Sequence, residues 1–260
     1  MLTHLSDRAL LGLKGNDTES FLQSVITNDI QRLKNEACIY TAHLTTKGKF
    51  LFDFFISKKD DMFLIDCNKN ELMPLAQSLH KYVVSKNVEF HDLSEDYKLI
   101  SSDVALDKNE SDIQYQDPRL EALGFRCWVK ELPESINPLE NYTLKRLNLG
   151  IIDGAYDAIK EKTLINELNF ESLNGVSFNK GCYVGQELTA RTKFRTEPKK
   201  KIFKVKLSGE TEIGSVILCG KMDAGWMFTN KDGVGLALIR TRYINKDLTL
   251  GGQPIEILTA

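Results

Sequence analysis

The stretch from Phe50 to Ile56 constrains the fold of this chain most, because six of its seven residues are apolar and the seventh is Asp53. A strand with so little alternation is typical of a sheet that is covered on both faces. A second strand, over residues 37–43, precedes it across the turn Thr46-Lys47-Gly48-Lys49. We therefore predict a sheet with a strand that is buried on both sides.

Apolar residues at helical spacing predict helices before and after these strands. The first helix follows Asp17, which can cap it, and the second spans residues 69–82. A short third helix over residues 142–149 ends at Gly150. Residues 103–124 are polar and are predicted to form a long connection. The remaining predicted strands lie at residues 62–66, 88–90, 97–101 and 125–129.

The pattern of the chain changes after Pro198. Short strand-like runs separated by glycines replace the mixed pattern, which is typical of a small β-barrel. These runs lie at residues 202–207, 215–218, 234–239 and 255–258. We predict an α+β region over residues 1–198 and a C-terminal β-barrel over residues 199–260.

Composition excludes several classes of protein. The net charge is −2, so no global field favours nucleic acid or membrane. The five cysteines contain no C-x-x-C pair and form no secreted disulfide framework. The four histidines show no metal-ligand spacing, no apolar run reaches the roughly 20 residues of a membrane helix, and the N-terminus resembles no targeting segment. These features predict a cytoplasmic protein without a metal site.

The segment over residues 174–195 reads as a turn followed by a short helix. Within it, Cys182 would lie beside the helix N-terminus, and Lys180 stands two residues earlier. The positive end of the helix dipole and the charge of Lys180 both favour a thiolate at Cys182. The alternative is that Cys182 is a small buried hydrophobic residue, which is a common role of free cysteines.

The run Lys180-Gly181-Cys182-Tyr183-Val184-Gly185-Gln186-Glu187 resembles K-G-C-Y-x-G-Q-E, the signature of the YgfZ family. This family is a branch of the folate-binding proteins that resemble the glycine-cleavage T-protein. The similarity extends over essentially the whole chain. Further matching segments are Leu13-x-Gly15, Phe21-Leu22-Gln23, Thr27-Asn28-Asp29, Lys47-Gly48-Lys49, Asp117-Pro118-Arg119-Leu120 and Arg146 with Gly150-Ile151-Ile152-Asp153.

The resemblance implies a ring of three modules around a central channel, with the first two modules interleaved within residues 1–198. It implies that the channel binds tetrahydrofolate or a one-carbon derivative. It further implies a folate-dependent accessory protein that supports the assembly or repair of iron–sulfur enzymes, with Cys182 as its key thiol. The expected partners are iron–sulfur client or assembly proteins and folate; neither a membrane nor a nucleic acid is expected.

The same resemblance implies a set of folate-binding residues. Glu167 stands where the family often has an acidic residue, which would bind the pterin edge; the alternative is an exposed surface glutamate. Arg146 would hold a folate carboxylate, or would equally be a charge on a helix surface. The signature residues assigned to the folate site are Lys180, Tyr183, Gln186 and Glu187.

The chain departs from the T-proteins at Phe52 and Asp53. The resemblance places an acidic pair there, one member of which is catalytic, but Phe52 occupies the first position. Because side chains alternate along a strand, Asp53 should point away from Phe52. Loss of one carboxylate predicts loss of aminomethyl transfer. The alternative function is a folate-dependent aminomethyltransferase or a demethylase-type one-carbon enzyme.

Residues 191–206 contain eight basic side chains against Glu197 alone. They form either a solvated linker with a protected edge strand or a rim that attracts an anionic folate tail or an acidic partner. RNA binding is less favoured, because few aromatic residues are interleaved.

Overall fold

The computed structural model describes residues 1–107, 109–111, 113–195 and 197–258. In this part of the chain the helices are α1 (Thr18–Val25), α2 (Leu72–His80), α3 (Leu139–Asn148), α4 (Gly154–Asp157) and α5 (Gln186–Phe194). The strands are β1 (Leu2–His4), β2 (Arg8–Lys14), β3 (Cys38–Leu44), β4 (Phe50–Lys59), β5 (Met62–Asn68), β6 (Glu89–Asp92), β7 (Lys98–Ser102), β8 (Ile113–Gln116), β9 (Phe125–Val129), β10 (Lys200–Lys206), β11 (Val216–Cys219), β12 (Met222–Lys231), β13 (Val234–Arg240), β14 (Leu248–Leu250) and β15 (Gln253–Leu258).

Two sheets of the N-terminal region are interleaved in sequence. One sheet has the order β1-β7-β9-β8, and the other has the order β3-β4-β5-β2-β6. The chain therefore begins in the first sheet, builds the whole of the second, and returns at Lys98. This arrangement confirms the predicted α+β fold with interleaved modules.

Strand β4 is buried on both faces, as its sequence predicts. Phe52 and Phe54 face the core that helices α1 and α2 complete, together with Phe21 and Leu75. Phe55 belongs to a different core, which it shares with Tyr40 and other buried residues. Because neighbouring side chains enter opposite cores, β4 separates the two hydrophobic layers of the region.

The prediction of an unbroken connection over residues 103–124 is wrong. Strand β8 lies within it, and a 3₁₀ turn follows at Glu121–Leu123. Ile113 and Tyr115 point inward while Gln114 and Gln116 do not. The strand is only four residues long and its neighbours are polar, so its alternation is too short to stand out from a loop. Residues 108 and 112 of that prediction lie outside the described part of the chain.

The C-terminal strands form a closed barrel of order β10-β13-β12-β11-β14-β15. Its interior is filled by Val205, Ile217, Met227 and Ile239, all of them buried. The structure confirms the predicted barrel; residues 259 and 260 of that prediction lie outside the described residues. No helix in the described ranges is both long enough and apolar enough to cross a membrane.

Glu71 gives the stability of this fold a distinct pH dependence. Its carboxylate is buried beside α2, where Oε1 lies 2.7 Å from Nζ of Lys160. Burial raises the pKa of Glu71 from 4.5 to about 7 in spite of this partner. As pH rises, the Glu71 carboxyl therefore loses its proton at a lower pH in the unfolded chain than in the folded protein. Stability that is present below about pH 4.5 is consequently lost as pH rises toward 7.

We expect Glu71→Gln to remove this loss, because an amide cannot ionise. Between pH 4.5 and 7 the free energy of unfolding of the unchanged protein should fall by about 2–3 kcal/mol relative to the variant. Urea denaturation of both proteins at pH 5 and pH 8 measures the difference. Equal pH dependence in the two proteins would show that Glu71 ionises freely in the folded state.

Candidate functional site

The central cavity of this fold, about 200 Å³ in volume, lies where the two interleaved sheets meet the barrel. Its wall is mostly polar and charged, and its apolar side chains are Leu5, Phe55, Leu139 and Ile213. Residues from strands β2 and β4, helices α3 and α4, and the barrel all contribute to it. Representative lining residues are Asp7, Arg8, Asp53, Phe55, Tyr142 and Thr229.

Carboxylates cluster at one end of this cavity, where Asp7, Asp53 and Asp153 all line the wall. Asp53 is only 5% exposed, and its Oδ2 accepts hydrogen bonds from the Tyr40 hydroxyl at 2.6 Å and the Gly154 N–H at 3.1 Å. Burial, reinforced by the Asp153 carboxylate, raises the pKa of Asp53 above its ordinary value. Burial and Asp153 raise the pKa of Asp7 as well. This end of the cavity therefore favours bound protons or hydrogen-bond donors.

The position of Asp53 depends on a glycine in helix α4. A Cβ atom at Gly154 would lie 2.2 Å from Oδ1 of Asp53 and 2.5 Å from Cζ of Phe50. The side chain of Asp153 caps α4 by accepting a hydrogen bond from Ala155 N–H at 3.2 Å. The absence of a side chain at Gly154 thus allows the start of α4 to approach the carboxylate and to donate to it.

Three arginines surround one aromatic ring beside these carboxylates. The guanidinium carbons of Arg8, Arg119 and Arg126 lie 5.7, 4.8 and 4.2 Å from the centroid of Phe55. Asp66 neutralises two of them, with contacts of 2.8 Å to Arg8 and 2.7 Å to Arg126. Although burial alone would raise it, these guanidinium groups hold the pKa of Asp66 below its ordinary value. The three guanidinium groups are therefore held in fixed positions in the cavity wall.

Arg119 is held by a second acid. Its Nε and Nη2 donate to the two carboxylate oxygens of Asp117 at 3.0 and 2.8 Å. Nη2 also donates to the Tyr142 hydroxyl at 2.8 Å, and that hydroxyl accepts from Arg126 at 3.3 Å. The sequence assigned no role to these side chains. The sequence signal that could have indicated this ion pair is Asp117-Pro118-Arg119. In it an acidic and a basic residue stand two apart, and the proline between them fixes the turn.

Arg146 lines the cavity, but its charge is already paired. It is buried, and Nη1 donates to Oδ2 of Asp157 at 2.6 Å, while Nη2 donates to the Thr229 hydroxyl of the barrel at 3.0 Å. The alternative of a helix-surface charge is wrong, because α3 turns this side chain inward. Its assignment to a folate carboxylate stays a prediction, and Asp157 weakens it by supplying the counter-ion.

Glu167 is buried, so the alternative of an exposed glutamate is wrong. Oε2 accepts a hydrogen bond from Leu164 N–H at 2.9 Å, and Oε1 lies 3.5 Å from Nζ of Lys200 on β10. Glu167 is not among the residues that line the central cavity. Its carboxylate instead caps its own 3₁₀ turn and links that turn to the barrel, so its role at a pterin edge stays a prediction.

Lys180 stabilises the signature segment from inside the protein. Its ammonium group donates to the carbonyls of Gln23, Ile26 and Asn28 at 2.8, 2.8 and 2.7 Å. Burial lowers the pKa of Lys180 to about 8. Its Nζ also lies 5.0 Å from the ring centroid of buried Tyr183. The donors of Lys180 are therefore committed to the end of α1 and the turn after it, and the effect of its charge on the neighbouring thiol stays a prediction.

Cys182 is exposed, so the alternative that it is a buried hydrophobic residue is wrong. Helix α5 begins at Gln186 after Gly185, so Cys182 precedes its first turn by several residues. Gln186 is half-buried and Glu187 is exposed. No residue of the signature lines the central cavity, contrary to the expected cleft shared with this segment. Cys182 therefore lies on the surface, in a segment that is separate from the cavity wall.

The remaining cysteines differ from Cys182 in exposure. Cys38, Cys67 and Cys127 are buried, and Cys219 is half-buried. Burial raises the pKa of the Cys67 thiol to about 12 and that of Cys127 to about 11. Cys182 is thus the one exposed thiol in the described part of the chain.

Two of the motifs singled out in the sequence contact one another. A Cβ atom at Gly185, where φ is +84°, would lie 2.7 Å from the carbonyl oxygen of Thr45 and 2.9 Å from Cα of Gly48. The turn before β4 and the start of α5 can pack this closely only because both lack a side chain at the contact. The signature is thereby anchored to the strand that carries Asp53.

The basic stretch and His43 have structural partners. Lys193 contacts Glu171 at 2.6 Å, and Lys204 donates to the carbonyl of Asn148 at 3.0 Å. His43 is buried, with Nδ1 2.9 Å from the carbonyl of Val25, so it is a core residue. Among the residues that the structure describes, no group of three or more His, Cys, Asp or Glu could hold a metal ion.

Two family matches and one solved structure define the class of protein. Residues 2–101 match the GCVT N-terminal domain, and residues 199–259 match the CAF17 C-terminal beta-barrel domain. The fold is similar to that of glycine cleavage system aminomethyltransferase T from Bartonella henselae, with a TM-score of 0.79 and 16% identity. That similarity covers 99% of this chain and 84% of the other. The chain therefore has a T-protein-like α+β fold whose C-terminal part is a CAF17-type barrel.

Curated relatives indicate more closely which proteins this chain resembles. Two relatives carry the name iron–sulfur cluster assembly factor IBA57 homolog, mitochondrial. The one from Pyricularia oryzae is 29% identical to this chain, and the one from Neurospora crassa is 33% identical. The similarity to the Pyricularia protein covers 98% of this chain and 75% of that protein. The similarity to the Neurospora protein covers 77% of this chain and 52% of that protein. The IBA57 factor of Mus musculus is 27% identical over 94% of this chain and 78% of its own. The GCVT-like domain, the CAF17-type barrel and the IBA57 relatives together support the T-protein-like family that includes the CAF17 and IBA57 proteins; the YgfZ branch stays a prediction.

The same comparison overturns the predicted cytoplasmic location. The IBA57 relatives from Pyricularia oryzae, Neurospora crassa and Mus musculus are named mitochondrial. Composition and cysteine usage do not distinguish the cytoplasm from another reducing compartment, so the prediction was wrong on a point that they cannot decide.

Proposed function

We propose that this protein binds tetrahydrofolate or a one-carbon derivative in the central cavity and supports the assembly or repair of iron–sulfur enzymes. The observation that carries the proposal is a charged cavity at the junction of the interleaved T-protein-like sheets and the CAF17-type barrel. The printed names of the IBA57 relatives support the iron–sulfur role.

The cavity wall suits the polar edge of a pterin ring. Carboxylates accept hydrogen bonds from ring N–H and amino groups, and Asp7, Asp53 and Asp153 line one end. Oδ2 of Asp53 is already occupied by Tyr40 and Gly154, while Oδ1 accepts no hydrogen bond from the described residues. Asp53 Oδ1 is therefore free to accept a hydrogen bond from a ligand. The face of a ring would meet Phe55, which lines the cavity two residues after Asp53 on the same face of β4.

Cys182 is the residue through which we propose contact with an iron–sulfur client or assembly protein. Its thiol is exposed, and it lies on a segment that Lys180 and Gly185 hold against the protein body. A fixed and accessible thiol can meet a partner protein without unfolding the segment around it. Gln186 and Glu187 would shape this surface rather than bind folate directly, and buried Tyr183 would support the segment beside Lys180.

Deletion of the gene tests the proposal. We expect the activities of several iron–sulfur enzymes to fall, while an enzyme without a cluster keeps its activity. A plasmid copy of the unchanged gene should restore them, and a copy with Thr143→Trp, which fills the cavity from α3, should not. Undiminished iron–sulfur enzyme activities in the deletion strain would overturn the proposed role.

A one-carbon transferase is the second candidate, and the observation in its favour is Asp53 in the cavity wall. Phe52, which replaces the other expected acid, is buried in the opposite core and cannot assist it. We therefore predict aminomethyl transfer at least about 10²–10⁴-fold slower than that of an authentic T-protein, because one positioned acid is absent. An assay with the remaining glycine-cleavage components measures this. Comparable turnover would favour the transferase.

A further inference from the structure

The barrel presents an apolar side chain at the mouth of the central cavity. Ile213 lies on the loop between β10 and β11 and contributes to the cavity lining. It is nevertheless 53% exposed. An exposed isoleucine adds little to the stability of its own domain, since about half of its surface remains in water. Its position beside a polar cavity suggests a role toward a ligand.

Hydrogen bonds on both sides of Ile213 fix its loop to the barrel. On one side, Thr211 N–H donates to Oδ1 of Asn230 at 2.8 Å, and Nδ2 of Asn230 donates to the Thr211 carbonyl at 2.9 Å. On the other side, Gly214 N–H donates to the carbonyl of Met227 at 2.7 Å. Ile213 is therefore held at a defined place, and no ordering of the loop is required when a ligand binds.

The size of the cavity decides which part of a ligand reaches Ile213. At about 200 Å³ it is smaller than the roughly 300–1,000 Å³ that enclose a drug-sized ligand. It can enclose a bicyclic ring, but the aminobenzoyl and glutamate groups of a folate must extend toward the mouth. The group that follows the pterin is an aromatic ring, and an apolar side chain is the matching contact.

We propose that Ile213 is a specificity-determining residue that holds the aminobenzoyl ring of a reduced folate against the barrel. This inference rests on the proposed function. It gives the barrel a direct part in recognition, because Ile213 comes from the barrel while the pterin end meets the interleaved sheets.

The test compares two ligands by calorimetric titration: tetrahydrofolate, and 6-methyltetrahydropterin, which lacks the aminobenzoyl group. We expect Ile213→Ala to weaken tetrahydrofolate binding about five- to tenfold, from the lost apolar contact, and to leave 6-methyltetrahydropterin binding unchanged. Ile244→Ala is the matched control, because Ile244 is also an exposed isoleucine of the barrel but does not line the cavity. Thermal unfolding of both variants verifies that each is folded.

The outcomes separate this inference from the proposed function. Tetrahydrofolate binding to Ile213→Ala within twofold of the unchanged protein would overturn the inference and leave the function standing. An equal loss for both ligands would also overturn it, because Ile213 would then shape the pterin site. Absence of any binding of reduced folate to the unchanged protein would refute the proposed function and the inference together.

Discussion

Replacing Arg146 by leucine is expected to lower the free energy of unfolding by about 3–5 kcal/mol, because Asp157 would remain buried without its counter-ion. The exposed fractions of the two side chains are 3% and 0%, and their contact is 2.6 Å. The same pair joins the two parts of the protein: Arg146 donates to the Thr229 hydroxyl at 3.0 Å, and Asp157 accepts from Thr229 N–H at 3.0 Å.

Urea denaturation followed by circular dichroism measures this loss. The double variant Arg146→Leu/Asp157→Leu is the control, because it removes both charges and should regain part of the stability. Recovery should be incomplete, since Asp157 also accepts hydrogen bonds from the N–H groups of Thr229 and Asp153. A loss below about 1 kcal/mol for Arg146→Leu would indicate that solvent or another group compensates Asp157.

Cys182→Ala is expected to abolish support of iron–sulfur enzymes in cells while leaving the protein folded. The thiol is exposed, so its removal should change the free energy of unfolding by no more than about 0.5 kcal/mol. The expected loss of function is therefore not a consequence of unfolding. Iron–sulfur enzyme activities in the deletion strain, complemented with the variant gene, measure the effect.

Cys219→Ala provides the matched comparison, because Cys219 is a half-buried thiol on the barrel, away from the signature segment. It should restore the enzyme activities fully. Full restoration by Cys182→Ala as well would show that the exposed thiol is dispensable. Cys182 would then be a surface residue without a role in this function.

The sequence predicted the strand buried on both faces and the presence of the barrel, but strands β2 and β12 were not predicted. The run from Phe50 to Ile56 identified the strand buried on both faces, and the glycine-punctuated strands after Pro198 identified the barrel. Strand β8 escaped detection because four residues between polar neighbours carry too little periodicity. Interleaving of the two sheets came from family resemblance, since local patterns do not reveal which strands pair across long sequence separations.

The candidate site was less predictable because the burial of a charged residue depends on distant partners. Arg146, Glu167 and Lys180 were assigned to a ligand, yet the structure gives each of them a protein partner. Asp157 is eleven residues from Arg146, and the carbonyls that hold Lys180 are more than 150 residues away. Such pairings arise from the tertiary fold and are invisible in local sequence.

Asp53 shows the opposite case. Alternation along β4 correctly placed it on the face opposite Phe52, because the strand is regular at that point. Its raised pKa could not be predicted, since it depends on burial and on Asp153, a hundred residues later. Strand periodicity gives the direction of a side chain, and the tertiary structure gives its chemistry.

Calorimetric titration with tetrahydrofolate tests the central claim most directly, using the unchanged protein, Thr143→Trp and Asn141→Trp. Thr143 lines the cavity, whereas Asn141 is an exposed residue of the same helix. We expect saturable binding with a stoichiometry of about one for the unchanged protein and Asn141→Trp, and at least about tenfold weaker binding for Thr143→Trp, because the new ring fills the ligand's space. Binding that Thr143→Trp leaves unaltered, or no binding to the unchanged protein, would contradict the assignment of this cavity to a reduced folate.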